Sequence, residues 1–329
     1  MSRARRRVGV LGSFVWDRIY GRDRRASAIE EWGGITYALG GLDAALDDAW
    51  EIVPIIKVGN DLEGQARQFL GTLRHLAPDA HPVAVEQPNN RVTLRYQEAE
   101  RRTEVLTGGV PPWTWLGLRP LLDDLDALYI NLISGFELDL ETAQLVRQHF
   151  RGPILCDLHS LLLAVQPDGL RTPRPLPNAG AWMRCFDFVQ CNEAEMALMA
   201  PDSMALAAIA MNVGVRSLVV TLGARGAVYF AAPEFERLAI ARSAPRRGRV
   251  DAPIGTVRTA LLPASAADVK EGDPTGCGDV FGATYFARLL CGDMFADALQ
   301  LALRAAARNL AHRGATHLAF HLRGELSPS

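Results

Sequence analysis

The chain has 329 residues, 49% of them hydrophobic and 22% charged, enough for one large buried core or at most two domains. A formal charge of −2 supplies no overall attraction to nucleic acid or to an anionic membrane surface. No apolar run approaches the roughly 20 residues that cross a bilayer, and Val8 to Leu11 is too short for the core of a signal peptide. The expectation is therefore a cytoplasmic protein with its five cysteines reduced.

Two lysines, Lys57 and Lys270, stand among the 35 basic residues, and neither lies in a Gly-x4-Gly-Lys-Ser/Thr string, which excludes a P-loop enzyme. Arg7 to Leu11 reads as a short strand ending at Gly12-Ser13. It lacks Gly-x-Gly-x-x-Gly, so a nicotinamide-dependent dehydrogenase is the weakest of three functional readings. Asp17 follows, a carboxylate able to accept hydrogen bonds from sugar hydroxyls. Trp32-Gly33-Gly34 then opens a helical pattern from Ile35 to about Trp50, and paired glycines let a ligand approach the backbone closely.

Ile52 to Val58 is a buried strand. Arg91 to Gln97 alternates with period two and, after a charged turn at 98–102, meets Thr103 to Thr107. This predicts a hairpin too polar for a central sheet. From residue 121 strands and helices alternate: 127–133, helix 141–150, 153–157, 188–191, a helix from 193, and 217–221. That pattern predicts a mostly parallel sheet covered on both faces, with Asn131, Asp157, Asn192, Glu195 and Thr221 along one rim. The arginine-rich piece 242–249 reads as a solvated loop. His159 after the Asp157 strand reads as a polar loop residue, and Glu137 joins Asn131 as a candidate for the acceptor pocket.

Asn192 and Glu195 are three apart on a helix start. They suit either a capping box or a hydrated Mg²⁺ ion. Thr221-Leu-Gly223-Ala-Arg-Gly226 ends a Val-rich strand in a turn that could lie against a nucleotide. The most specific string is Gly272-Asp273-Pro274-Thr275-Gly276-Cys277-Gly278-Asp279, running straight into an apolar helix. Its glycines can aim backbone amides at one spot beside a helix N-terminus, a site for anionic oxygens. Asp279 at its edge can accept a proton from an attacking hydroxyl. The position of Cys277 near the helix start predicts a thiol of lowered pKa.

Taken in order, Asp17, Gly33-Gly34, Val58-Gly-Asn-Asp61-Leu-Glu-Gly64, the hairpin, Asn192/Glu195, Thr221-Leu-Gly223 and Asp273 to Asp279 resemble the ribokinase-like (PfkB) kinases of sugars and nucleosides. The resemblance implies one three-layer α/β/α domain over residues 1–329, with a small β lid formed by about 14–31 and 89–109. It implies ATP-dependent phosphoryl transfer to a hydroxyl of a sugar, sugar acid or nucleoside, using Mg²⁺ and compatible with a monovalent cation. Asp279 would be the general base and Gly276, Cys277 and Gly278 the anion hole. Asn192, Thr221, Gly223, Gly226 and Thr275 would meet the nucleotide, and Asn192 and Glu195 the Mg²⁺ through water. Asp17, Gly33, Gly34, Tyr37 and Asn131 would meet the acceptor, although Ala38 stands where the family often has a sugar-binding Asn. A catalytically silent metabolite-binding relative is the alternative. The resemblance implies small-molecule partners only, with no nucleic acid or membrane, and the lid offers a surface for a homodimer.

Overall fold

A computed structural model describes residues 5–20, 27–96, 102–239, 255–265 and 272–325. The expected loop 242–249, the hairpin tip 98–101 and residues 21–26 of the first lid segment lie outside them.

The first seven strands are β1 Arg6–Tyr20, β2 Ile29–Gly34, β3 Trp50–Gly59, β4 Val83–Val85, β5 Arg91–Tyr96, β6 Arg102–Thr107 and β7 Ala127–Asn131. They are followed by β8 Ile154–Asp157, β9 Leu163–Val165, β10 Arg171–Pro173, β11 Phe188–Asn192, β12 Ser217–Thr221, β13 Ala227–Ala231 and β14 Arg258–Leu262. The central sheet runs β14-β13-β12-β11-β8-β7-β1-β3-β4. It is parallel from β12 to β4, with β13 and β14 added antiparallel at one edge.

Burial on both faces explains why its strands read as continuous apolar runs. In β7, Ala127 and Tyr129 pack into one core while Leu128 and Ile130 pack into the other. The first core lies beneath helices Ile35–Ala45, Cys277–Leu290, Phe295–Asn309 and Leu318–Arg323. The second lies beneath Leu140–His149, Ala179–Met183 and Ser203–Asn212. These are the three layers expected. No helix among the described residues is long and apolar enough to cross a membrane.

One strand serves two sheets. Through Ser13, β1 pairs with β3 in the core; from Phe14 onward it pairs with β2, and from Trp16 with β5. With β6 on β5, these strands form a small second sheet, and the predicted hairpin is β5–β6. Asp17 therefore sits on an extension of a central strand.

Three boundaries differ from expectation. The helix predicted to reach Trp50 ends at Ala45, because Leu46 is extended and Trp50 instead opens β3 opposite Arg6. Sheet pairing and full burial of Trp50 override the helical spacing of the apolar residues. The strand predicted to reach Ile133 ends at Asn131, where the Ile133 amide turns back onto the Asn131 carbonyl. The helix from Glu193 lasts only to Ala197, and a second begins at Ser203 beyond Pro201.

Candidate active site

The turn 273–276 is built by side chains bonding to its own backbone. Asp273 Oδ1 accepts from the Thr275 amide at 2.9 Å, and Asn309 Nδ2 donates to the Thr275 carbonyl at 2.9 Å. Gly276 caps the helix Cys277–Leu290 with φ 75°, a left-handed conformation that favours glycine. Its Cα also lies against the ring of Tyr37, so that a Cβ there would fall 2.1 Å from a ring carbon. The Cys277 amide donates to the Pro274 carbonyl at 3.2 Å, closing the turn. Nothing lies within 4 Å of where a Gly278 side chain would begin, so the helix start opens into free space there. The first-turn amides of a helix lack intrahelical partners, and the dipole adds positive potential. The arrangement suits an anion.

Asp279 stands in that first turn and is buried. Asn131, at the C-terminal end of β7, donates from Nδ2 to Asp279 Oδ1 at 2.6 Å. Asn131 pairs in register with Asp157 on β8, and Asp157 with Gln190 on β11. Gln190 Nε2 donates to both Asp157 Oδ2 at 2.8 Å and the Gly278 carbonyl at 2.9 Å. The sheet rim and the helix start are thus tied together at two points. Burial and the nearby Glu195 and Asp279 carboxylates push the Asp157 pKa well up. Burial, together with Asp279, likewise raises that of Glu195, against the opposing effect of His159 and the Asn192 hydrogen bonds. These three acids repel one another at the strand ends, and a divalent cation held with phosphates would relieve that repulsion.

Next along the rim, Asn192 on β11 pairs with Thr221 on β12. Asn192 and Glu195 form a complete capping box: the Glu195 amide donates to Asn192 Oδ1 at 2.9 Å, and the Asn192 amide to Glu195 Oε2 at 2.8 Å. Asn192 Nδ2 also donates to Glu195 Oε1 at 2.7 Å. The residues fit Mg²⁺ through its waters, since both carboxylate oxygens already accept hydrogen bonds. No group of three or more acids, histidines or cysteines among the described residues is arranged as a direct metal cage. Gly223 and Gly226 flank the short turn into β13, and exposed Arg225 forms an ion pair with Glu193.

On the lid side, the Asp17 carboxylate lies over Gly33, where a Cβ would fall 1.8 Å from Oδ2. Gly34 starts the helix that carries Tyr37 under the anion turn.

Residues 165–320 match the family model described as pfkB family carbohydrate kinase. That match covers just under half of the chain, and the fold is ribokinase-like. No curated protein matches its sequence. Among solved structures, it is similar to a Burkholderia thailandensis nucleoside kinase in complex with inosine, with TM-score 0.70 and 15% identity over 95% of this chain and 94% of that one. A Thermotoga maritima ribokinase is similar with TM-score 0.64 and 15% identity, over 97% of this chain and 98% of the other. A pyrophosphate-dependent kinase of the ribokinase family, complexed with a pyrophosphate analog and myo-inositol, has TM-score 0.70 and 13% identity, over 96% and 99%.

Within the ribokinase-like fold, the residues singled out from sequence fall into three groups, of which Asp17, Gly33, Gly34 and Tyr37 at β1, β2 and the helix after them are one. Asn131, Thr275, Gly276, Cys277, Gly278 and Asp279 converge at the helix start; Asn192, Glu195, Thr221, Gly223 and Gly226 follow along the rim. Two expectations need correction. Glu137 is committed to structure: it accepts from Ser13 Oγ at 2.7 Å and from the Ser134 and Gly135 amides at 2.6 and 2.9 Å. The Cys277 thiol is not activated; burial pushes its pKa up to about 11, with Asp273 and Asp279 adding to the effect and Asn309 opposing it. Its Sγ faces the Ala306 carbonyl and Asn309 rather than the opening. Gln190 and Asn309, which tie the site together, were not foreseen. Each is an ordinary amide in its local sequence, and its role exists only through contacts with the turn 273–278, 88 and 34 positions away in sequence.

Proposed function

We propose that the protein is an ATP-dependent kinase that transfers a phosphoryl group to a hydroxyl of a sugar, sugar acid or nucleoside, acting as one domain with its lid. The observation that carries this reading is the buried Asp279, held by Asn131 beside an open helix start that suits an anion. The family match at residues 165–320 supports it. Asp279 takes the proton from the acceptor hydroxyl, and Asn131 orients the carboxylate for that transfer. The amides of Gly276, Gly278 and, once released from Pro274, Cys277 stabilise charge on the transferring phosphoryl group. Thr221, Gly223, Gly226, Asn192 and Thr275 line the nucleotide side. Asn192 and Glu195, with Asp157 behind them, would hold the waters of Mg²⁺, which when bound would supply positive charge against the phosphates. Asp17, Gly33, Gly34 and Tyr37 form the acceptor wall, and closure of the lid excludes water as a competing acceptor. A cytoplasmic setting fits the use of ATP and Mg²⁺.

The test is an ADP-release assay with ATP and a panel of neutral sugars, sugar acids and nucleosides. Asp279→Asn should lower turnover about 10²- to 10⁴-fold while ATP affinity changes little. Wild-type turnover in that variant would remove Asp279 as the base. Phosphate transfer from pyrophosphate but not from ATP would keep the chemistry and overturn the donor.

A further inference from the structure

Three polar side chains stand in register at the sheet rim: Asn131 on β7, Asp157 on β8 and Gln190 on β11. In-register neighbours of a sheet share a face, and this face carries the helix Cys277–Leu290. Gln190 is 3% exposed, and both N–H groups of its Nε2 are used. One donates to Asp157 Oδ2 at 2.8 Å, the other to the Gly278 carbonyl at 2.9 Å.

The amide oxygen of Gln190 gains nothing from this arrangement. Oε1 is buried and has no hydrogen-bond partner among the described residues. A side chain kept for packing alone would be methionine or leucine, which fill such a space without an orphaned oxygen. The helix also yields to the amide. At Gly282 a Cβ would fall 2.5 Å from Oε1, 3.1 Å from Cδ and 3.2 Å from Nε2. Glycine weakens a helix interior relative to alanine, and here the missing methyl group is what lets the amide reach the first turn.

The bond to the Gly278 carbonyl acts on Asp279. That carbonyl belongs to the planar peptide joining Gly278 to Asp279, so holding its oxygen fixes the direction of the Asp279 N–H and the Cα from which the carboxylate projects. Asn131 holds the same residue by its side chain, at Oδ1. We propose that Gln190 is a positioning residue, seated in the gap left by Gly282, that fixes the Gly278–Asp279 peptide so that the Asp279 carboxylate is aimed at the acceptor hydroxyl. This inference rests on reading Asp279 as the base of a kinase and adds the group that sets its backbone. Gln190 touches no reacting atom; its effect reaches the reaction through Asp279 and the amides of the anion turn.

Two variants open this clamp from opposite sides. Gln190→Met keeps the length of the side chain and removes both N–H groups, whereas Gly282→Ala leaves Gln190 intact and displaces its amide. With ATP and the panel acceptor that wild type turns over fastest, each should lower kcat about 10- to 100-fold, the scale of a misplacement of roughly 1 Å. KM for ATP and for the acceptor should stay within about threefold, because the groups that bind them are untouched. The double variant should be no slower than Gln190→Met alone, since both substitutions remove one interaction. Wild-type kcat in either variant, losses that multiply in the double variant, or a KM that rises while kcat holds would each overturn the inference. Hydrogen exchange read by mass spectrometry tests the clamp without any acceptor. Amides in the first two turns of the helix Cys277–Leu290 should exchange about tenfold faster in Gln190→Met, the factor expected for one lost hydrogen bond. Unchanged exchange overturns the clamp. Accelerated exchange in a protein whose wild type releases no ADP with any acceptor sinks the kinase reading and leaves the clamp standing.

Discussion

Replacing Gly276 with alanine tests the geometry of the anion turn most directly. Two effects add. An alanine held at φ 75° is strained by about 1–2 kcal/mol. The new Cβ would also lie 2.1, 2.3 and 2.6 Å from three ring carbons of Tyr37, where 3.4 Å begins ordinary contact. Tyr37 is only 3% exposed, so its ring has little room to retreat, and such overpacking costs about 1–3 kcal/mol. Gly276→Ala should therefore destabilise the fold by about 2–5 kcal/mol, read from denaturant midpoints at constant m-value. In a Tyr37→Ala background the steric part should vanish and the dihedral part remain, leaving a coupling of about 1–3 kcal/mol in the double-mutant cycle. Turnover should fall about 10²-fold, since the clash displaces the amides from the transferring group by roughly 1 Å. Strict additivity of the two substitutions, or a Gly276→Ala protein as stable as wild type, would show that Tyr37 does not underlie the turn.

Two further outcomes follow from buried groups. At pH 8 a thiol with a pKa of about 11 is ionised in about one molecule in a thousand, so iodoacetamide should label Cys277 far more slowly than an ordinary exposed cysteine. Mass spectrometry after timed labelling checks this, and rapid modification protected by ATP would reinstate the activated thiol. Burial opposes ionisation of Asp43, but hydrogen bonds from His75 and Arg323 outweigh it and depress its pKa. A carboxylate depressed in this way stabilises the fold above its unfolded pKa of about 4, and that contribution fades as pH falls through the lower folded value. Asp43→Ala should cost about 3–5 kcal/mol at pH 7, because Arg323 loses its buried partner. Denaturation of wild type and variant at pH 7 and pH 3 should show the gap shrinking on acidification, and an unchanged gap would argue against the ion pair.

The legible parts of the site were contiguous strings. Gly272 to Asp279 carries its own turn, its left-handed glycine and its helix start, so its geometry follows from local backbone preferences. The same holds for the capping box at Asn192 and Glu195, and for the alternation that marked β5 as a strand of the lid. The fold class was legible for a related reason: strands buried on both faces leave apolar runs that alternate with amphipathic helices.

What tertiary structure decided is who stands beside whom. Asn131 and Asp279 are 148 positions apart, and only the parallel order of β7 and the helix behind it makes them partners. Glu137 looked available until the turn after β7 folded two amides and a hydroxyl onto it. Cys277 looked activated by its helix start, yet packing against Ala306 and Asn309 removed it from water and reversed the sign. Sequence by itself determined backbone shape, because dihedral preferences and periodicity are local. Charge environment depends on long-range neighbours and on exclusion of water, and those exist only once the chain has folded.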